Sequence, residues 1–279
     1  MGFATDKPLL TFFLLAYSIS WTFFIGVGII LGSDLAILGV LGPSLALLIL
    51  WGISSHDQEI SAVFRRGRQV RFDRRVYLLV IPGFLAMELL AIGINEALGG
   101  DTRDFYFQLD LIGTFILQIV IIGFGEEFGW RGFALPRLQQ KYNPLIASII
   151  LAGVHGFWHF PAYFLGAGTH NVPIIWFIFW IIPFTIILTW VVNQANGSVF
   201  AAAMVHGWFG VTLSAIPFLP SEDVVPLDSD LLTTLGDFSV LGAYIWMAIM
   251  FWVLALSLVF VTKGNLAYSK PKTHTPVSE

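Results

Sequence analysis

The sequence has 279 residues, of which 57% are hydrophobic and 11% charged, with a formal net charge of -4 and no cysteine. A soluble domain carries about 25% charged residues, so the composition excludes a soluble globular enzyme, and the net negative charge argues against a nucleic-acid binder. The absence of cysteine excludes a secreted disulfide scaffold, thiolate metal sites and thiol catalysis.

Apolar runs of membrane-spanning length recur from end to end, and a bilayer core needs about 20 apolar residues per helix. In chain order they predict helices at Pro8–Leu31, Leu35–Ile53, Val76–Leu98, Leu109–Phe128, Pro144–Leu165, Pro173–Asn193, Val199–Pro217 and Ser239–Thr262. The expected fold is therefore an all-α polytopic membrane bundle of about eight transmembrane helices, one integral membrane domain over 1–279 with a motif-bearing core at about 109–210. A β-barrel is disfavoured because the runs are continuous and lack in/out alternation. The first run is too long for a signal peptide and lacks a small-residue cleavage site, so it reads as a retained span. Pro43, Pro82 and Pro183 are compatible with membrane helices, which tolerate proline better than soluble ones do.

With a cytoplasmic N-terminus, eight spans put 13 of the 14 basic residues on the cytoplasmic side, including the six arginines between Arg65 and Arg75. Only Arg103 falls outside, and the last external loop carries Glu222, Asp223, Asp228, Asp230 and Asp237. Positive charge inside predicts a multi-pass protein of the cell membrane with both termini cytoplasmic. Membrane lipids are the expected surroundings, and the loop Ser54–Arg75 is placed to meet anionic headgroups.

A charge in hydrocarbon costs at least ~2.5–3.5 kcal/mol, so ionisable residues inside spans are functional candidates. They are Glu88 and Glu96 in the third span, Glu126 and Glu127 in the fourth, His155 and His159 in the fifth, and His206 in the seventh. His56, His170 and His274 fall in loops or the tail. Glu88 is deep enough to be a carboxyl bonded to a neighbouring helix. Glu127 and Arg131 are four apart, hence on one helix face and able to pair. Glu126 is rotated by about 100°, which lets the two carboxylates take separate tasks: Glu127 braced by arginine, Glu126 facing a cavity as a general base. His155 and His159 also share one helical stripe.

The residue types narrow the chemistry. The sequence has no H-E-x-x-H, no G-x-S-x-G and no aspartate deep in a span, which excludes zincin-like, serine and aspartyl routes to peptide hydrolysis. A carboxylate with several imidazoles remains. That set suits an activated water without metal, or one divalent cation such as Zn²⁺ held by histidines and a glutamate.

Taken together, these residues resemble the CPBP family of intramembrane proteases, whose eukaryotic members include the type II CAAX prenyl endopeptidase. The family's E-E-x-x-x-R is matched by Glu126, Glu127 and Arg131. Its F-x-x-x-H is matched at His159, with His155 where phenylalanine is usual. Its H-x-x-x-N is matched at His206, with Gly210 at the asparagine position. The resemblance implies an intramembrane endopeptidase acting on a membrane-anchored peptide or protein. It assigns water activation to Glu126 and His159 and oxyanion binding to His206, with Glu127, Arg131 and His155 in support. The departure at Gly210 removes a side-chain donor, a loss worth ~10²–10³ in rate for groups of this kind. Asn193 and Asn196 stand nearby as substitutes. His155 can compensate, or can complete a metal site with His159 and His206. A catalytically silent scaffold or immunity protein of the same fold is the alternative, whereas a proton-coupled transporter lacks support from inverted repeats.

Depth poses a difficulty. Glu126 falls at the cytoplasmic end of its span, His206 about 7 residues in and His159 about 15 residues in, or ~22 Å at 1.5 Å per residue. These depths do not converge, so either the fifth helix begins below the membrane surface or the span ends are displaced.

Overall fold

The structure, a computed structural model, describes residues 6–32, 34–53, 57–100, 111–165, 174–215 and 242–269. Arg103, the acidic loop from Glu222 to Asp237, His56, His170 and His274 lie outside the described residues. Among the described residues the regular structure is helical, as the apolar runs require. Every backbone polar group in hydrocarbon must be satisfied within its own segment.

The helices are α1 (Pro8–Ile30), α2 (Asp34–Ile53), α3 (Asp57–Gly67), α4 (Arg74–Ala97), α5 (residues 111–141), α6 (Pro144–Trp158), α7 (Ile174–Gln194), α8 (Val199–Ala215) and α9 (Tyr244–Val261). Six of them, α1, α2, α4, α6 with the turn that follows it, α7 and α9, are long and apolar enough to cross a membrane. α8 runs from Val199 to Ala215, the last residue described there, in line with the expected seventh span. The expected fourth span takes a different form. The fourth does not stop at Phe128: α5 continues helically to Lys141, through wide i→i+5 turns at Gln118–Gly123 and Phe128–Ala134. Wide turns of this kind gather at functional sites because the extra residue re-aims the side chains beyond it.

α1 packs on α2, α5 on α8, α6 on α7, α7 on α9, and α9 on α4. The approach of α5 to α8 depends on glycine. A Cβ on Gly123 would stand 2.7 Å from the Ala203 carbonyl oxygen, and one on Gly207 would stand 2.9 Å from the Ile119 nitrogen. Small residues at such crossings let two backbones approach closely. Between α7, α8 and α9, Trp180, Phe184, Phe209 and Phe251 form one buried aromatic cluster. Large apolar side chains such as Ile112, Leu78 and Phe260 face outward.

Amphipathic α3 lies against the second wide turn of α5. Val63 covers Gly132, Phe64 packs on Phe128 with ring centroids 5.2 Å apart, and Arg66 Nη2 donates to the Gly132 carbonyl at 2.7 Å. Burial, with Arg137 and Arg65 nearby, lowers the Arg66 guanidinium from its usual pKa.

Candidate active site

The depth difficulty resolves in the hairpin of α5 and α6. Fifteen helical residues follow Glu126 before α5 ends at Lys141. After Tyr142, Asn143 caps α6, its side chain accepting from the Leu145 N–H at 2.9 Å, with Pro144 at the first helical position. His155 stands eleven residues beyond that proline, so it returns to roughly the level of Glu126. His155 Nε2 and Glu126 Oε2 are 2.8 Å apart, both buried. Glu126 was expected at the end of its helix; because α5 continues to Lys141, it lies within the helix instead.

Glu127 points elsewhere. Its Oε1 accepts from Arg131 Nη1 at 3.0 Å, the i,i+4 pair expected from the spacing, with both side chains fully buried. The same oxygen is 2.8 Å from His206 Nδ1 on α8. Arg131 also reaches Thr185 Oγ1 on α7 at 3.5 Å and lies 3.4 Å from His155 Nδ1. One guanidinium thus touches groups from three helices. Thr185 escaped the sequence reading because a lone threonine in an apolar span carries no chemical signature.

These contacts define the tautomers. Arginine only donates, so the His155 nitrogen facing it carries the lone pair, and Nε2 carries the proton and donates to Glu126. Glu127, shared with arginine, is the acceptor for His206 Nδ1–H, which leaves His206 Nε2 directed away from the brace. His206 is also the more open of the two bonded imidazoles, with 13% of its side chain exposed against 1% for His155.

His159, just past the end of α6, has its ring 5.0 Å from that of His155. One ligand atom each from Glu126, His155 and His159 lies within 4.8 Å of the others. Among the described residues this is the group with metal-like spacing, and it differs from the expected trio by holding Glu126 in place of His206. Trp130 and Trp158 pack around His155 with centroids 5.2 and 5.8 Å away and seal it from the side.

Of the asparagines offered for the missing donor, one is engaged elsewhere and the other is exposed. Asn193 accepts from Gln139 at 3.1 Å and donates to the Leu266 carbonyl at 3.0 Å. Asn196 is exposed in a left-handed turn, φ 53°. Beside Gly210 stands Gln118 of α5, which the sequence reading passed over. Glu88, by contrast, behaves as expected: it accepts from Thr212 Oγ1 at 2.6 Å, bonding α4 to α8 away from the cluster.

The fold and the site define a polytopic membrane protein built around a buried cluster of two carboxylates, imidazoles and a guanidinium. Residues 108–212 match the family model described as Type II CAAX prenyl endopeptidase Rce1-like. The chain is also 31% identical over 145 residues to CAAX prenyl protease 2 of Methanococcus maripaludis, an alignment covering 47% of this chain and 52% of that protein. The chain thus matches about half the length of this relative, and its similarity to the CAAX prenyl endopeptidase-like family lies in the segment that carries Glu126, Arg131, His159 and His206.

Proposed function

We propose that the chain is an intramembrane endopeptidase that cleaves a membrane-anchored peptide or protein with a water activated by Glu126. The observation that carries this reading is a buried carboxylate held by the N–H of one imidazole with a second imidazole close by, beside a separate carboxylate neutralised by arginine. Such an arrangement separates a base from a brace.

In the proposed reaction Glu126, with His159 orienting the water, takes a water proton as the oxygen bonds to the scissile carbonyl carbon. The carbonyl π electrons move to the oxygen, which becomes an oxyanion. His206 in its protonated form keeps Nδ1–H on Glu127 and donates Nε2–H to that oxyanion. Collapse reforms the carbonyl and breaks the C–N bond, and the proton held by Glu126 goes to the leaving amine.

The ligand geometry favours a route without metal. A cation would need the lone pair of His155 Nε2, but then the proton sits on Nδ1 and confronts an Arg131 N–H 3.4 Å away. Without His155, the group retains Glu126 and His159, short of the three protein ligands of a catalytic zinc site. The cytoplasmic orientation of both termini belongs to the same proposal and rests on the distribution of basic residues.

The test is cleavage of single-span and lipid-anchored peptides by the purified protein in phosphatidylcholine vesicles. Glu126→Gln keeps shape but cannot accept the proton, so cleavage should fall to background. Cleavage at the wild-type rate by Glu126→Gln removes Glu126 as the base. No cleavage by the wild type of any anchored peptide favours the silent scaffold.

A further inference from the structure

Gln118 lies in the first wide turn of α5, two helical turns before the carboxylates, in the stretch that packs on α8. Its amide lies over Gly210. A Cβ built on that glycine would be 2.9 Å from Gln118 Oε1 and 3.1 Å from Cδ, so the absence of a side chain at 210 is what admits the amide. Gly210 is four residues after His206 and on the same face of α8, so the two positions are about 5–6 Å apart. His206 in turn touches Glu127. Gln118 therefore continues, one turn further, the stripe that holds the carboxylate–imidazole pair.

Gln118 Oε1 is buried and has no hydrogen-bond partner among the described residues. A buried acceptor left unmade is destabilising, and such atoms in a native fold require a reason. A primary amide has the donor–acceptor pattern of a peptide group, so it can accept from a peptide N–H while donating to a peptide carbonyl. We infer that the Gln118 carboxamide is a binding group for the backbone of the substrate peptide, its Oε1 accepting a peptide N–H close to the scissile bond. This rests on the peptidase reading and adds what that reading lacks, a contact that fixes the register of an extended chain beside His206. No bond is made or broken at Gln118.

The experiment measures equilibrium binding of fluorescent single-span and lipid-anchored peptides in phosphatidylcholine vesicles, with Glu126→Gln as the background so that the peptide stays intact. Adding Gln118→Leu should weaken binding roughly three- to tenfold, the range for one neutral hydrogen bond. Gly210→Ala, whose methyl displaces the amide, should do the same, and the two together should cost no more than either alone. N-methylation of the peptide at one position should weaken binding to the Gln118 protein and leave the Gln118→Leu variant unaffected. In the active protein, Gln118→Leu should raise KM and leave kcat nearly unchanged.

Unchanged affinity in Gln118→Leu, or a lowered unfolding midpoint for that variant, overturns the inference, the second because it makes the amide structural. The peptidase reading fails separately. If Glu126→Gln cleaves like wild type, the base is wrong whatever Gln118 does; if peptides bind, Glu126→Gln is inactive and Gln118→Leu binds like its parent, only the present inference falls.

Discussion

His206 Nδ1 lies 2.8 Å from Glu127 Oε1, the oxygen that also accepts from Arg131 at 3.0 Å. Glu127 is thus the joint between α5 and α8, and the imidazole proposed to meet the oxyanion is oriented by the arginine-paired carboxylate, whereas Glu126, the proposed base, is met by His155. The brace and the chemistry are linked through one oxygen atom.

Removing Arg131 should therefore act first on the fold. Arg131→Ala strands a fully buried carboxylate and an imidazole facing it, a loss of about 3–5 kcal/mol for a broken buried pair. Thermal unfolding in detergent should show a large fall in midpoint. Arg131→Lys should recover part of it, since one ammonium cannot reach Glu127, Thr185 and His155 together. Wild-type stability in Arg131→Ala would make the pair dispensable to the fold.

The two adjacent carboxylates should separate in a paired experiment. Glu126→Gln should lose cleavage with little change in unfolding midpoint. Glu127→Gln should lower the midpoint and also lose activity by about 10²-fold or more, the scale of one mis-set oxyanion donor. Equal effects of both substitutions on stability would contradict this division of labour.

Chelation offers a third measurement. With Arg131 against His155 Nδ1, EDTA or phenanthroline should leave cleavage unchanged. Loss of activity that added Zn²⁺ restores would show that Glu126, His155 and His159 act as ligands.

Asp73 supplies an acid-sensitive element outside the spans. It caps α4, its side chain accepting from the Arg75 N–H at 2.9 Å and from Gln194 at 3.4 Å. The Arg75 amide, chiefly, holds its carboxyl below the usual value. A group with a depressed folded pKa stabilises above its unfolded value, about 3.9, and the contribution is lost as pH falls through the folded one. Asp73→Asn should flatten the unfolding midpoint against pH below about pH 4. An unaltered acid limb would remove Asp73 as its source.

Topology is open to direct reading. Tags after Arg75, at Lys141 and at the C-terminus should be reached from the cytoplasm, and a tag at Asp230 from outside. Cytoplasmic labelling at Asp230 would break the eight-span arrangement.

The apolar windows of α1, α2, α4, α6, α7 and α9 were legible because hydropathy reports on lipid, and the Glu127–Arg131 pair was legible because four residues bring side chains together on any helix. The site as a whole was not. Hydropathy ended the fourth span at Phe128, where polar residues begin, whereas α5 continues because Arg131 is neutralised within the protein and Gly132 lets Val63 cover it. His155 was read as support or as a metal ligand, and its contact with Glu126, the proposed base, depends on the level reached after the Tyr142–Asn143 turn. Gln118 carried no signal, since a single glutamine in an apolar run resembles many others until the helix opposite proves to have a glycine facing it.

α1 carries no acidic or basic group toward the cluster, but the Tyr17 hydroxyl donates to the Val154 carbonyl and the Trp21 indole to the Trp158 carbonyl at 3.1 Å. The Trp158 carbonyl ends α6, where carbonyls have no partner within the helix, and Val154 is the residue before His155, so the first span splints the last turn of α6, which begins at His155. A shortened protein starting beyond α1 would keep each proposed reacting side chain and still let that turn fray, making an apparently inert anchor a condition for the imidazole being at its post.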